Sequence, residues 1–215
     1  MPSDAPAAAP NLADSPATVG FKSPLFWIPV VAFVLADLMS KNWAFSTLPE
    51  HGPTYVWGTW FGWQRLHNPG GVFGMGQSMT VPLTIIRIFA VGLLAWLAAR
   101  QIRGSKRAVL TLGLLEAGAI GNLYDNLGGW FGWSDGTGHV RDFIRVDLGP
   151  APGWWPDFLP WLFHPWPIFN VADSCITIGF LLLLTGLGKV HWPGSEDEAK
   201  QAAAKAEKDQ PKNAN

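Results

Sequence analysis

Two short segments hold the acidic residues with the most demanding surroundings. One is Gly138-His139-Val140-Arg141-Asp142-Phe143; the other, beyond a tryptophan-rich connector, is Phe169-Asn170-Val171-Ala172-Asp173-Ser174-Cys175-Ile176. The second opens an apolar run that continues to Leu187, so Asp173 falls a short way inside a segment that reads as a membrane span. A carboxylate there costs at least ~2.5 kcal/mol on insertion scales and ordinarily faces a cavity or a partner. Asp142 is the partner expected. Two carboxylates brought together in a poorly solvated place share one proton more readily than they both ionise. One can then act as general base on a water while the other donates to a substrate carbonyl, which is the machinery of an aspartic peptidase.

Other chemistries fit the residues less well. Ser40 and Lys41 are adjacent and point to different helical faces, which argues against a Ser-Lys dyad. Cys175 has no base among its sequence neighbours and reads as a small packed thiol. His139 and Asp142 lack a third metal ligand at a convincing spacing, so no metal and no cofactor is expected. The single cysteine excludes an internal disulfide and a cysteine-based structural zinc site. A net charge of -1 leaves no electrostatic footprint for nucleic acid.

The chain that must position these acids has 215 residues, 48% of them hydrophobic and 14% charged, too apolar for an ordinary soluble domain. Charged residues gather at the ends and in a few connectors. Four apolar stretches remain, at 25–45, 81–99, 108–127 and 168–187, each with roughly the ~20 residues that cross a bilayer. The expected fold is therefore an all-α membrane protein of four transmembrane helices, residues 23–190, between a disordered tail (1–22) and a polar tail (191–215). Arg100, Arg103, Lys106 and Arg107 crowd the turn between the second and third spans and Lys189 follows the fourth. Those ends, and with them both termini, are expected on the cytoplasmic side.

Residues 46–80 and 128–167 then form two extracytoplasmic connectors. In the first, Thr54-Tyr55-Val56-Trp57 and Trp60-Phe61-Gly62-Trp63 predict a small β-rich platform on the membrane surface. It ends in His67-Asn68-Pro69-Gly70-Gly71, turn chemistry in which Asn68 and bare backbone such as Gly70 could hydrogen-bond an extended substrate. The second connector, with Trp154, Trp155, Trp161 and Trp166, reads as an interfacial flap on lipid.

Polar residues inside the spans complete the pattern. Asp37 and Lys41 lie four apart on one helical face, acid before base. Asn122 and Asp125 fall late in the third span, and Glu116 with Arg87 suggests a buried polar contact between the second and third. Asp37, Lys41, Asn122, Asp125, Asn170 and Asp173 all land near the outer boundary, where Asp142 can join them. A small proton-coupled transporter subunit, the main alternative, would instead spread its carboxylates through the depth of the membrane.

With these patches in place, the sequence resembles the lipoprotein signal peptidases, the signal peptidase II family of bacterial inner-membrane aspartic proteases. The resemblance covers about 25–190 and rests on Asp37 to Lys41, Asn68 to Phe73, Gly118 to Asp125, Val140 to Phe143 and Phe169 to Gly179. It implies Asp142 and Asp173 as the catalytic pair. It implies Asp37, Lys41, Asn68, Gly70, Asn122 and Asn170 as residues that shape the site or hold substrate, and Asp125 as a structural neighbour. The implied substrate is a diacylglyceryl-modified prolipoprotein cut just before its lipidated cysteine, with membrane lipids as partners and sensitivity to a globomycin-type inhibitor. Asn126 departs from the family pattern, which carries an arginine there to contact the substrate backbone. A catalytically impaired, substrate-binding relative is the alternative this departure raises, and Asn126→Arg is expected to raise affinity.

Overall fold

The computed structural model describes residues 22–69, 80–101, 106–150, 153–154 and 166–190. Among them are four helices, α1 (Pro24–Thr47), α2 (Thr80–Ala99), α3 (Lys106–Phe131) and α4 (Val171–Leu184), and three strands, β1 (Thr54–Trp57), β2 (Phe61–Asn68) and β3 (Val140–Val146). The two tails, Gly70 and most of the tryptophan-rich connector lie outside the described residues.

The bundle is apolar outside and polar within. Ile28, Met39, Phe89, Phe180 and Leu184 are each more than half exposed, along with many neighbours on α1, α2 and α4. Surfaces of this kind are stable only against lipid or another apolar body. α1 and α2 are long and apolar enough to cross a membrane, and α4 is a shorter apolar helix. α3 is the central helix, packed against the other three. It buries Glu116, Asn122, Asp125 and Asn126, so its polar side chains face protein rather than lipid.

Close approach of the helices depends on missing side chains. A Cβ on Gly121 would stand 2.6 Å from Asp37 Oδ2, and one on Gly118 would stand 2.5 Å from the Ala172 carbonyl. Small residues on α3 thus let α1 and α4 approach to hydrogen-bonding range of each other's polar groups. At the opposite end of the bundle Phe26, Val30, Leu97, Ala98, Val109 and Leu112 form a purely apolar cluster.

The predicted hairpin is β1 paired with β2, antiparallel, and a third strand, β3, continues the sheet on β2. Within the second connector residues 140–146 form a strand that the sequence reading does not predict, so Asp142 belongs to the sheet. Asn68 likewise closes β2 instead of opening the loop. The fourth helix is shorter than the apolar run suggests. Phe169 is held extended by a bridge to Ile144, and Asn170 caps the helix, so α4 starts at Val171 and ends at Leu184. Hydrophobicity marks where lipid is tolerated, whereas the cap decides where the helix begins.

Candidate active site

Asp142 and Asp173 arrive from different elements and are set by different local rules. Leu66 is opposite Asp142 and Asn68 is opposite Val140. Asn68 and Asp142 are therefore diagonal neighbours on one face of the sheet, and Asn68 Nδ2 donates to Asp142 Oδ2 at 3.0 Å. Asp173 occupies the third position of α4 in a capping box. Its backbone N–H donates to Asn170 Oδ1 at 2.8 Å, and its own Oδ2 accepts from the Asn170 N–H at 3.1 Å.

The two halves are joined by backbone. Phe143 N and Ile144 N both donate to the Phe169 carbonyl, at 3.1 and 2.8 Å, and Phe169 N donates back to Ile144 O at 3.1 Å. This bridge fixes the start of α4 against β3. Asn170 then spans the carboxylates, its Nδ2 reaching Asp142 Oδ1 at 2.7 Å while its backbone N–H holds Asp173. Asn122 closes the ring, accepting from Asn170 Nδ2 at 3.1 Å and donating to Asp173 Oδ1 at 2.8 Å.

Behind Asn122 lies a buried ionic cluster. Lys41, fully buried, is 2.6 Å from Asp37 Oδ2 and 3.0 Å from Asp125 Oδ2. It also donates to Asn122 Oδ1 at 3.2 Å. An ammonium has only donors, so it forces the Asn122 oxygen toward itself and the Asn122 amide nitrogen toward Asp173. Asp125 is held from its other side by Arg141, through the backbone N–H at 3.1 Å, Nε at 2.9 Å and a terminal nitrogen at 2.8 Å. Two carboxylates and two cations then sum to zero buried charge. Asp37 also accepts from the Ala172 N–H at 2.9 Å, tying the start of α4 to α1.

Sequence spacing brought Asp37, Lys41, Asn122 and Asp125 to one depth, and the structure places them together, as it does Asp142, Asn170, Asp173 and Asn68. Arg141 has a role that its motif does not announce, the neutralisation of Asp125. The signal was arithmetic: two buried acids beside one lysine call for a second cation. Asn42, which accepts from Arg141 at 2.7 Å, was missed altogether. The expected partnership of Arg87 with Glu116 is replaced: Arg87 donates to Asn126 Oδ1, while Glu116 Oε2 is buried with no hydrogen-bond partner among the described residues. Asn126, in turn, donates to the Gly138 carbonyl at 2.8 Å.

The carboxylates differ in exposure. Asp142 is buried, and desolvation, then the charge of Asp173, pushes its pKa up to about 8; hydrogen bonds from Asn68 and Asn170 and the charge of Lys41 act in the other direction. Asp173 is half-buried and lines an apolar cleft of about 390 Å³ with Val146, Trp166, Phe169, Thr177 and Ile178. One carboxyl group that keeps its proton at neutral pH, beside one open to a cleft, is the pairing that acid–base hydrolysis requires.

The profile of the family described as Signal peptidase (SPase) II matches residues 29–188. The chain belongs to the signal peptidase II family. Among its relatives, the lipoprotein signal peptidase of Xanthomonas axonopodis pv. citri is 35% identical over 162 residues, covering 73% of this chain and 82% of that protein. That of Xanthomonas campestris pv. campestris (strain 8004) is 34% identical over 171 residues, covering 77% and 90%. The Porphyromonas gingivalis enzyme is 30% identical over 183 residues, covering 72% and 79%. In fold, the chain is similar to a bacterial membrane enzyme solved by the in meso method at 2.3 Å, with TM-score 0.62, 24% identity and coverage of 80% of this chain and 90% of that one. A second such structure, at 1.9 Å, gives TM-score 0.60 at 24% identity, covering 83% and 99%. Membership makes this signal peptidase II family protein a membrane protease of lipoprotein processing.

Proposed function

We propose that the chain is an intramembrane aspartic endopeptidase that removes the signal peptide from diacylglyceryl-modified prolipoproteins. The observation that carries this is Asn170, one residue hydrogen-bonded to both carboxylates, in a chain of this family. A water between the carboxyl groups gives a proton to Asp173 and attacks the scissile carbonyl carbon, while Asp142 donates its proton to the carbonyl oxygen. The tetrahedral adduct collapses when the nitrogen takes a proton from Asp173 and Asp142 recovers one from a hydroxyl, releasing the signal peptide as a carboxylic acid, which ionises in water, and a lipidated cysteine with a free amino terminus. Asp142 is the initial acid because it is buried among neutral amides; Asp173, at the positive end of α4 and accepting a backbone N–H, is the base.

The site suits a substrate anchored by acyl chains. The four helices are read as membrane spans of a bacterial inner-membrane protein, with both termini cytoplasmic and the sheet outside. The scissile bond then arrives at the depth of the dyad, and a globomycin-type inhibitor would compete there. Purified protein incubated with a lipidated prolipoprotein tests the reading. Release of signal peptide that stops in both Asp142→Asn and Asp173→Asn is expected. Turnover persisting in both variants would exclude it.

A further inference from the structure

Among the described residues, the side-chain nitrogens around the dyad can be counted, and nearly all are committed. The amide nitrogens of Asn68, Asn122 and Asn170 already serve Asp142, Asp173 or each other. Lys41 faces two carboxylates, Asn122 and the Gly121 carbonyl, and Arg141 is taken up by Asp125 and Asn42. An extended peptide entering this poorly solvated place brings backbone carbonyls that need donors.

Arg87 has them. It is half-buried on α2, and among the described residues its one hydrogen bond goes to Asn126 Oδ1. Asn126 lies one turn along α3 from Asn122, which donates to Asp173, so the guanidinium sits on the side of α3 that carries the site. A guanidinium is a planar fork of several N–H groups, so one bond leaves most of it available. Asn126 is itself anchored by its donation to Gly138 O, two residues before β3, so the clamp is tied to the strand that carries Asp142.

We infer that Arg87, clamped by Asn126, binds backbone carbonyl oxygen of the substrate beside the scissile bond. Asn126 stands where the resemblance calls for an arginine; here the cation at that place comes from α2 instead of α3, and Asn126 supplies its acceptor. An arginine at 126 would offer Arg87 no acceptor and would set two cations together. The sequence-based expectation for Asn126→Arg is thereby reversed: alone it weakens binding, and only with Arg87 removed does it strengthen it.

This inference rests on the proposed peptidase reading, and its test separates the two. Cleavage of a lipidated prolipoprotein is followed as KM and kcat, with binding of a reduced-amide lipopeptide measured alongside. Arg87→Gln is expected to raise KM about tenfold or more, the scale of losing a hydrogen bond to a charged group, with kcat changed far less. Arg87→Lys keeps the charge but loses the fork and should raise KM severalfold; an unchanged KM there would assign the effect to charge alone and overturn the inference. Arg87→Gln with Asn126→Arg should recover most of the lost affinity, and a double variant as weak as the worse single one would overturn the relocation. Unchanged KM and binding in Arg87→Gln would sink the contact while leaving the peptidase intact. An inactive wild type that still binds the lipopeptide, tenfold better than Arg87→Gln, would sink the peptidase reading and leave the contact standing.

Discussion

Two groups of acids sit side by side in this protein and are treated in opposite ways. Asp37 and Asp125 are buried against Lys41 and Arg141, with full positive charges at 2.6 to 3.0 Å. Asp142 and Asp173, one asparagine away, are held by amides and backbone N–H groups. A cation locks a carboxylate as an anion, because removing either partner strands a charge. A neutral amide orients a carboxylate without fixing its charge, so the proton stays free to move. The roles proposed for the four acids therefore follow the kind of partner each meets, not its distance from the site.

The comparison can be broken from either side. The largest expected effect is on turnover: Asp142→Asn or Asp173→Asn should lower kcat about a thousandfold or more, within the range for losing a positioned acid or base, as read by release of signal peptide. Asp142→Asn should nevertheless fold well. An acid with a raised folded pKa binds its proton more tightly folded than unfolded, so its contribution to stability falls as the pH rises from its ordinary value of 3.8 toward about 8. Asparagine removes that cost, and a thermal midpoint at or above wild type at pH 8 is expected; a large drop would place Asp142 with the structural acids.

Lys41→Met should do the reverse. It leaves Asp37 and Asp125 short of a cation and costs about 3–5 kcal/mol, the scale for breaking a buried pair, measured by thermal unfolding in detergent. Gly121→Ala attacks the same cluster sterically, since its Cβ would lie 2.6 Å from Asp37 Oδ2. A loss of about 1–3 kcal/mol is expected, as for overpacking.

Smaller effects sharpen the distinction. Turnover should fall as the pH rises through about 8, where Asp142 gives up the proton it donates. Asn68→Ala removes one of the interactions that lower the Asp142 pKa, so the alkaline limb should move to higher pH, with kcat reduced only severalfold. A limb that moved to lower pH, or did not move, would mean that another group sets it.

Much of this was legible before any coordinates. Apolar runs located α1, α2 and α3 to within a few residues, because lipid contact demands continuous side-chain hydrophobicity. Alternating aromatic and β-branched residues marked the β1–β2 hairpin. Polar residues interrupting the apolar runs picked out Asp37, Lys41, Asn122, Asp125, Asn170 and Asp173. Each of these signals is local, a matter of spacing within one element.

What lay beyond reach involved partners far apart in the chain. β3 is a short strand whose mixed residues announce nothing until β2 is there to pair with it. Phe169 looks like the first turn of α4, and its bridge to Ile144, with the Asn170 cap, keeps it extended. Arg141 neutralising Asp125 and Arg87 finding Asn126 depend on sheet register and helix rotation, which sequence spacing does not encode. Residue types and periodicity alone determined which acids interrupt the apolar runs. Tertiary structure alone decided which of them meet a cation and which meet an amide, because that choice is made by neighbours from other elements.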